Sequence, residues 1–210
     1  MKKLLLSCLP LALAACSSTS PVLSSDAAPE LRASFQDGAD AAGMDEMAAM
    51  MNYMTPGKAH EQLASLVGRY DIDAQVYMAP GTEPVAWVSK GTSKMVLGGR
   101  YLVEESAGTM MGMPVEGRLT MGYNNLTEEW WSFWIDNMST GHSVSVGKAD
   151  EAGVIRMDGT MVDATSPEGR MYAMVMHPVR EDGSYQVDML GELPDGSEWT
   201  VMTMTYTPTK

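Results

Sequence analysis

The sequence predicts an all-β protein: about ten antiparallel strands closed into an up-and-down barrel and preceded by one short helix. Three observations lead there. From Arg69 onward, apolar and polar residues alternate with a period of two, which sends successive side chains to opposite faces of a strand. Gly-, Asn-, Asp- and Pro-rich turn signals interrupt that alternation at short, regular intervals. So many consecutive strands on short links leave exposed edges unless the sheet closes on itself.

The chain starts before any of this. Met1-Lys2-Lys3 is a short basic segment, and the apolar run Leu4 to Ala14 follows it. That run is too short to span a bilayer, which needs about 20 residues, and has the form of an export signal. Leu13-Ala14-Ala15-Cys16 resembles the bacterial lipobox, in which cleavage before the cysteine leaves it to be acylated. Residues 1–15 are therefore expected to be a lipoprotein signal peptide, with Cys16 carrying the lipid; an ordinary signal with an incidental cysteine is the plainer alternative. Two or more acyl chains anchor a protein stably. Ser17, by resemblance to sorting in Gram-negative cells, directs the expectation to the outer membrane, facing the periplasm. The only cysteines are Cys8 and Cys16, so the mature chain is expected to hold together without a disulfide.

Residues 16–54 read as a tether. Ser17 to Ala42 is rich in Ser, Ala, Pro and Asp, too poor in apolar residues to order itself. At its end, Met44, Met47, Met51 and Met54 recur at 3-4-3 spacing, which places four thioethers on one helical stripe. Thioethers suit Cu(I). The blander reading is an amphipathic segment using Met as adaptable apolar filler. No His, Cys or carboxylate pair has metal-ligand spacing, and neither a metal nor a cofactor is expected.

Residues 55–210 are expected to form the barrel domain. Thr55-Pro56-Gly57 ends the Met-rich segment, and Lys58 to Val67 follows as the short helix, with Leu63, Leu66 and Val67 on its apolar face and Gly68 as its stop. Strands are predicted near 69–78, 85–97, 100–107, 114–123, 129–136, 142–149, 153–162, 169–178, 184–191 and 198–207. Among the breaks are Gly98-Gly99, Gly108 to Gly112, Asn124-Asn125 and Thr165-Ser166-Pro167.

Charge excludes some functions. Lys and Arg number 14 against 27 Asp and Glu, a formal charge of −13, and loss of residues 1–15 removes two lysines and no acid. So acidic a chain is not expected to bind nucleic acid.

A wider pattern becomes visible with these elements in place. Thr55-Pro56-Gly57, His60, Leu66-Val67-Gly68, Val96-Leu97-Gly98-Gly99-Arg100-Tyr101-Leu102, Met111-Gly112-Met113-Pro114, Gly122-Tyr123-Asn124 and Trp134-Ile135-Asp136-Asn137-Met138 together resemble the bacterial family of domain of unknown function 1579. The resemblance covers roughly Thr55 to the C-terminus and implies a lipocalin- or calycin-like barrel, with no settled activity. Some related calycin barrels bind haem through one histidine, so His142 or His177 are candidates there; a structural or surface histidine is the plainer role for both.

Other candidate chemistry is thin. Gly141-His142-Ser143-Val144-Ser145 falls one glycine short of a nucleophile elbow and lacks the strand-turn-helix context that motif needs, which rejects a hydrolase; an enzyme ranks third, behind a binding and a structural role, and none is expected. In Glu104-Glu105 one neighbour points inward if the other points out. The run Trp130 to Trp134 puts Trp130, Ser132 and Trp134 on one face and Trp131, Phe133 and Ile135 on the other. The barrel is expected to bind a small apolar or amphipathic ligand, with Tyr101, Met113, Tyr123, Trp134 and Asp136 as lining. The alternative is an envelope structural or interaction protein whose barrel is filled by its own side chains.

Overall fold

The computed structural model describes residues 41–163 and 166–209. The expected signal peptide, Cys16 and the tether as far as residue 40 lie outside the described residues. Two helices lead in: α1 (Ala41–Met54) and α2 (Lys58–Ala64). The methionines Met44, Met47, Met50, Met51 and Met54 of α1 are all exposed. No helix among the described residues is long and apolar enough to cross a membrane.

Ten strands follow: β1 (Gly68–Val76), β2 (Val85–Val96), β3 (Tyr101–Met110), β4 (Met113–Asn124), β5 (Glu129–Asp136), β6 (Ser143–Ala149), β7 (Ile155–Asp163), β8 (Ser166–Met176), β9 (Tyr185–Glu192) and β10 (Glu198–Pro208). Every neighbour in sequence is a neighbour in the sheet, and β1 pairs with β10 from Tyr70↔Pro208 to Val76↔Met202. The sheet is a closed antiparallel barrel without an edge strand, as the alternation predicts.

Several boundaries differ from the sequence-based reading; among them, β8 begins at Ser166, inside the break expected over Thr165-Ser166-Pro167. The break expected over Gly108 to Gly112 narrows to Met111-Gly112, because β3 and β4 stay paired to Met110↔Met113. The helix expected to reach Val67 ends at Ala64, where the chain tightens into a turn with the Leu66 and Val67 N–H groups donating to the Leu63 and Ala64 carbonyls, and β1 starts at Gly68.

The short helix closes one end of the barrel. Leu63, wholly buried, and Leu66 join the cluster that includes Tyr70, Leu102, Met121, Trp130, Tyr185 and Tyr206. His60 fixes the entry to α2: its Nδ1 accepts the Gly57 N–H at 3.1 Å, and its ring stands edge-on to Tyr123, 6.1 Å between centroids. Burial, with the nearby Arg100 charge second, holds the His60 pKa below its usual value, so a neutral imidazole suits this acceptor role. Arg100 in turn donates to the Met54 carbonyl, and Asn125 Nδ2 to the carbonyls of Asn52 and Thr55 at 2.8 Å.

Candidate functional site: the barrel cavity

Alternation decides what enters the barrel. On β3 the inward residues are Leu102, Glu104 and Ser106; on β5, Ser132, Trp134 and Asp136; on β2, Trp87 and Ser89. They surround a largely enclosed cavity of about 290 Å³, close to the ~300 Å³ lower bound common for small-ligand sites. Its walls are overwhelmingly apolar, and nine of the described methionines contribute to them, among them Met110, Met161, Met174, Met189, Met202 and Met204. Flexible thioethers adapt to a guest's shape better than branched side chains do.

The floor, toward α2, is polar at one point. Glu104 is only 3% exposed. Ser93 Oγ donates to its Oε2 at 3.2 Å, and Tyr206 Oη donates to its Oε1 at 3.3 Å. Burial outweighs both hydrogen bonds and pushes the Glu104 pKa from 4.5 to about 7. Around it stand three tyrosines. Tyr185 and Tyr206 stack with centroids 4.3 Å apart and a 12° interplanar angle. Tyr70 meets both edge-on at 5.3 and 5.8 Å. Burial, together with the Glu104 charge, raises the pKa of all three.

Toward the mouth lie Trp87, Met138, Ser143 and Asp136. Asp136 is engaged by its own neighbourhood: Trp134 Nε1 donates to Oδ2 at 2.8 Å, and the Met138 and Ser139 N–H groups donate to Oδ1 at 2.9 and 3.1 Å. The Trp87 indole N–H differs. It is buried and, among the described residues, has no hydrogen-bond partner. Trp87 and Ser93 are six residues apart on β2, about 20 Å of strand, so the free donor and the acidic floor mark opposite ends.

The residues singled out in the sequence divide. Trp134 and Asp136 line the cavity; Tyr101, Met113 and Tyr123 do not. Tyr101 has the opposite phase to Leu102 and lies outside, 5.6 Å from Trp131. Gly122 makes that outer pairing possible, since a Cβ there would come within 2.5 Å of the Trp131 ring. Met113 follows the Met111-Gly112 turn and is exposed. Tyr123 is consumed below the floor, between His60 and Trp130. Of the two faces of β5, Trp130, Ser132 and Trp134 point in. Trp134 lies over Gly117, where a Cβ would fall 2.2 Å from its ring.

The remaining candidates hold ordinary structural positions. His142 packs against Phe133 at 5.4 Å, and His177 Nε2 lies 2.9 Å from Asp188 Oδ2. Neither lines the cavity. Ser145 pairs with Ser132 at 2.6 Å and sits within a strand. The described residues hold no cluster of three His, Cys, Asp or Glu placed for a metal. Sequence reasoning missed Tyr70, Tyr185 and Tyr206, Ser93, Trp87 and the methionine wall.

A family described as "Protein of unknown function (DUF1579)" matches residues 55–208. The chain belongs to this family. Its matched region runs from just before α2 to the end of β10 and so includes every residue of the cavity. A comparison with curated proteins found no match.

Proposed function

We propose that this DUF1579 protein is a lipid-anchored bacterial envelope protein, held at the outer membrane through Cys16 and facing the periplasm, that binds a small apolar or amphipathic ligand in its barrel. The observation carrying the binding half is the cavity. An interior filled solidly by its own side chains would leave no such space, and close packing is the norm where no guest is needed. Two polar features support an amphipathic guest: a carboxyl group at the floor and the unpaired Trp87 N–H near the mouth. A buried donor without a partner costs about 1–3 kcal/mol, and a bound acceptor would recover that. In this reading the site serves binding: among the described residues, the hydroxyls beside Glu104 are engaged in holding its carboxylate.

Mass spectrometry of organic extracts from the purified full chain tests the binding half. A small amphiphile recovered in stoichiometric amount is the expected result; an empty extract together with no uptake of hydrophobic fluorophores counts against it. The anchor rests on the lipobox-like Leu13-Ala14-Ala15-Cys16. Cys16→Ser should move the protein from the membrane to the soluble envelope fraction, and unchanged membrane association would refute the anchor.

A further inference from the structure

The proposal that follows rests on the cavity being occupied and names the chemistry of the occupant. We propose that Glu104 and Tyr206, with Ser93 holding the carboxylate in place, form a headgroup subsite for an ammonium group, so that the barrel's ligand is a lipophilic primary or secondary amine. Ser93 and Tyr206 spend their hydroxyl hydrogens on the Glu104 carboxylate, and Tyr70 spends its own on the Leu66 carbonyl at 3.2 Å. Of these groups Glu104 and Tyr206 line the cavity, and what they still offer a guest is lone pairs, on the carboxylate and on the Tyr206 hydroxyl oxygen. An acceptor-rich floor calls for a donor-rich headgroup, and an alkylammonium carries two or three N–H donors and no acceptor.

Charge points the same way. Both charged residues lining the cavity, Glu104 and Asp136, are acidic, and none of the described Arg, Lys or His residues lines it. A fatty carboxylate or a phosphate ester would meet no cation there and would lie near a buried anion. An ionised Glu104 without a counter-charge is costly in so enclosed a place, and an ammonium group supplies that charge. The Tyr185 and Tyr206 rings, which also line the cavity, add aromatic surface of the kind that attracts cations within about 6 Å. Thioether and aliphatic walls above the floor suit an apolar chain or ring system.

Protonation gives the site a pH dependence. The titratable groups facing Glu104 are Tyr206 from β10, Tyr185 from β9 and Tyr70 from β1, and all have raised pKa values. β2 contributes Ser93 and Gly91, which do not titrate. Glu104, near 7, is therefore the group at the floor that changes charge between pH 5.5 and 8. An alkylammonium stays charged throughout that range, as a lysine does at about 10.4.

The test is a titration of the full chain, stripped of endogenous ligand, with decylamine, decanol and decanoate, read by tryptophan fluorescence and calorimetry. At pH 8 decylamine should bind on the order of tenfold more tightly than decanol, with decanoate weakest, and its affinity should fall on the order of tenfold at pH 5.5 as Glu104 takes up a proton. Glu104→Gln should abolish the amine preference and its pH dependence while keeping decanol binding. If decanol equals or exceeds decylamine, or the preference survives in Glu104→Gln, the ammonium subsite is refuted although the cavity still binds. If none of the three binds, the occupied-cavity reading itself fails. Should Glu104→Gln not fold, Ser93→Ala and the wild-type pH comparison decide: an amine affinity indifferent to both overturns the proposal.

Discussion

Glu104 and Asp136 are both inward carboxylates of the same cavity, one near each end, and their partners give them opposite roles. Asp136 accepts an indole N–H and two backbone N–H groups from residues within three positions of itself. Those bonds orient Trp134 and close the turn after β5, which leaves the carboxylate occupied by the fold. Among the described residues, Glu104 is held by two side-chain hydroxyls alone, one on β2 and one on β10. They stabilise it too weakly to offset its burial, so its pKa rises to about 7. A carboxylate tied to backbone donors belongs to the architecture; one held by hydroxyls in an apolar chamber keeps capacity for a guest.

The largest effect expected from this contrast is on stability. Because Glu104 has a folded-state pKa above the ordinary 4.5, the folded chain retains a proton that the unfolded chain releases. The stabilisation is fully present below pH 4.5, declines as pH rises toward about 7, and is gone above that. The shift corresponds to roughly 3 kcal/mol. Glu104→Gln stays neutral at every pH and can keep both hydroxyl contacts. In urea denaturation of ligand-free protein, its stability relative to wild type should therefore rise by roughly 3 kcal/mol between pH 4.5 and pH 8. The carboxylates with lowered pKa values, Asp182, Asp188, Asp195 and Glu198, are common to both proteins and cancel. A difference independent of pH would place Glu104 in a hydrated setting and erase the contrast.

The strands themselves were legible because period-two alternation and turn residues are local signals. The faces of β5 were also readable, since Trp130, Ser132 and Trp134 share a phase whichever way the strand points. The phase of β3 was not. Tyr101-Val103-Glu105 and Leu102-Glu104-Ser106 are similarly mixed, and what puts Tyr101 outside is the space over Gly122 beside Trp131, on neighbouring strands. For the same reason Glu104 could not be told from Glu105, whose side chain lies outside near Arg118 at 4.0 Å. The decisive partner of Glu104, Tyr206, is 102 residues away, and no spacing rule reaches that far. The methionines fall into two groups. Their helical stripe in α1 drew attention, yet those side chains are exposed, while the methionines scattered through β3 to β10 build the cavity wall.

A smaller effect is expected at Asp136, and it separates architecture from binding. Asp136→Ala removes the acceptor shared by the Trp134 indole and the Met138 and Ser139 N–H groups. Because the site is partly exposed and water can replace some of those bonds, the expected loss is about 1 to 2 kcal/mol. Asp136→Asn keeps an acceptor for the turn but turns an amide donor or a poor acceptor toward the indole, so its loss should be about half as large. Trp134 emission should shift in both variants as the ring loses its anchor over Gly117. Decylamine should still be preferred to decanol in both, because Glu104 is untouched. If that preference disappears with Asp136 instead, the mouth carboxylate is the cation's partner, and the roles assigned to the two ends of the barrel must be exchanged.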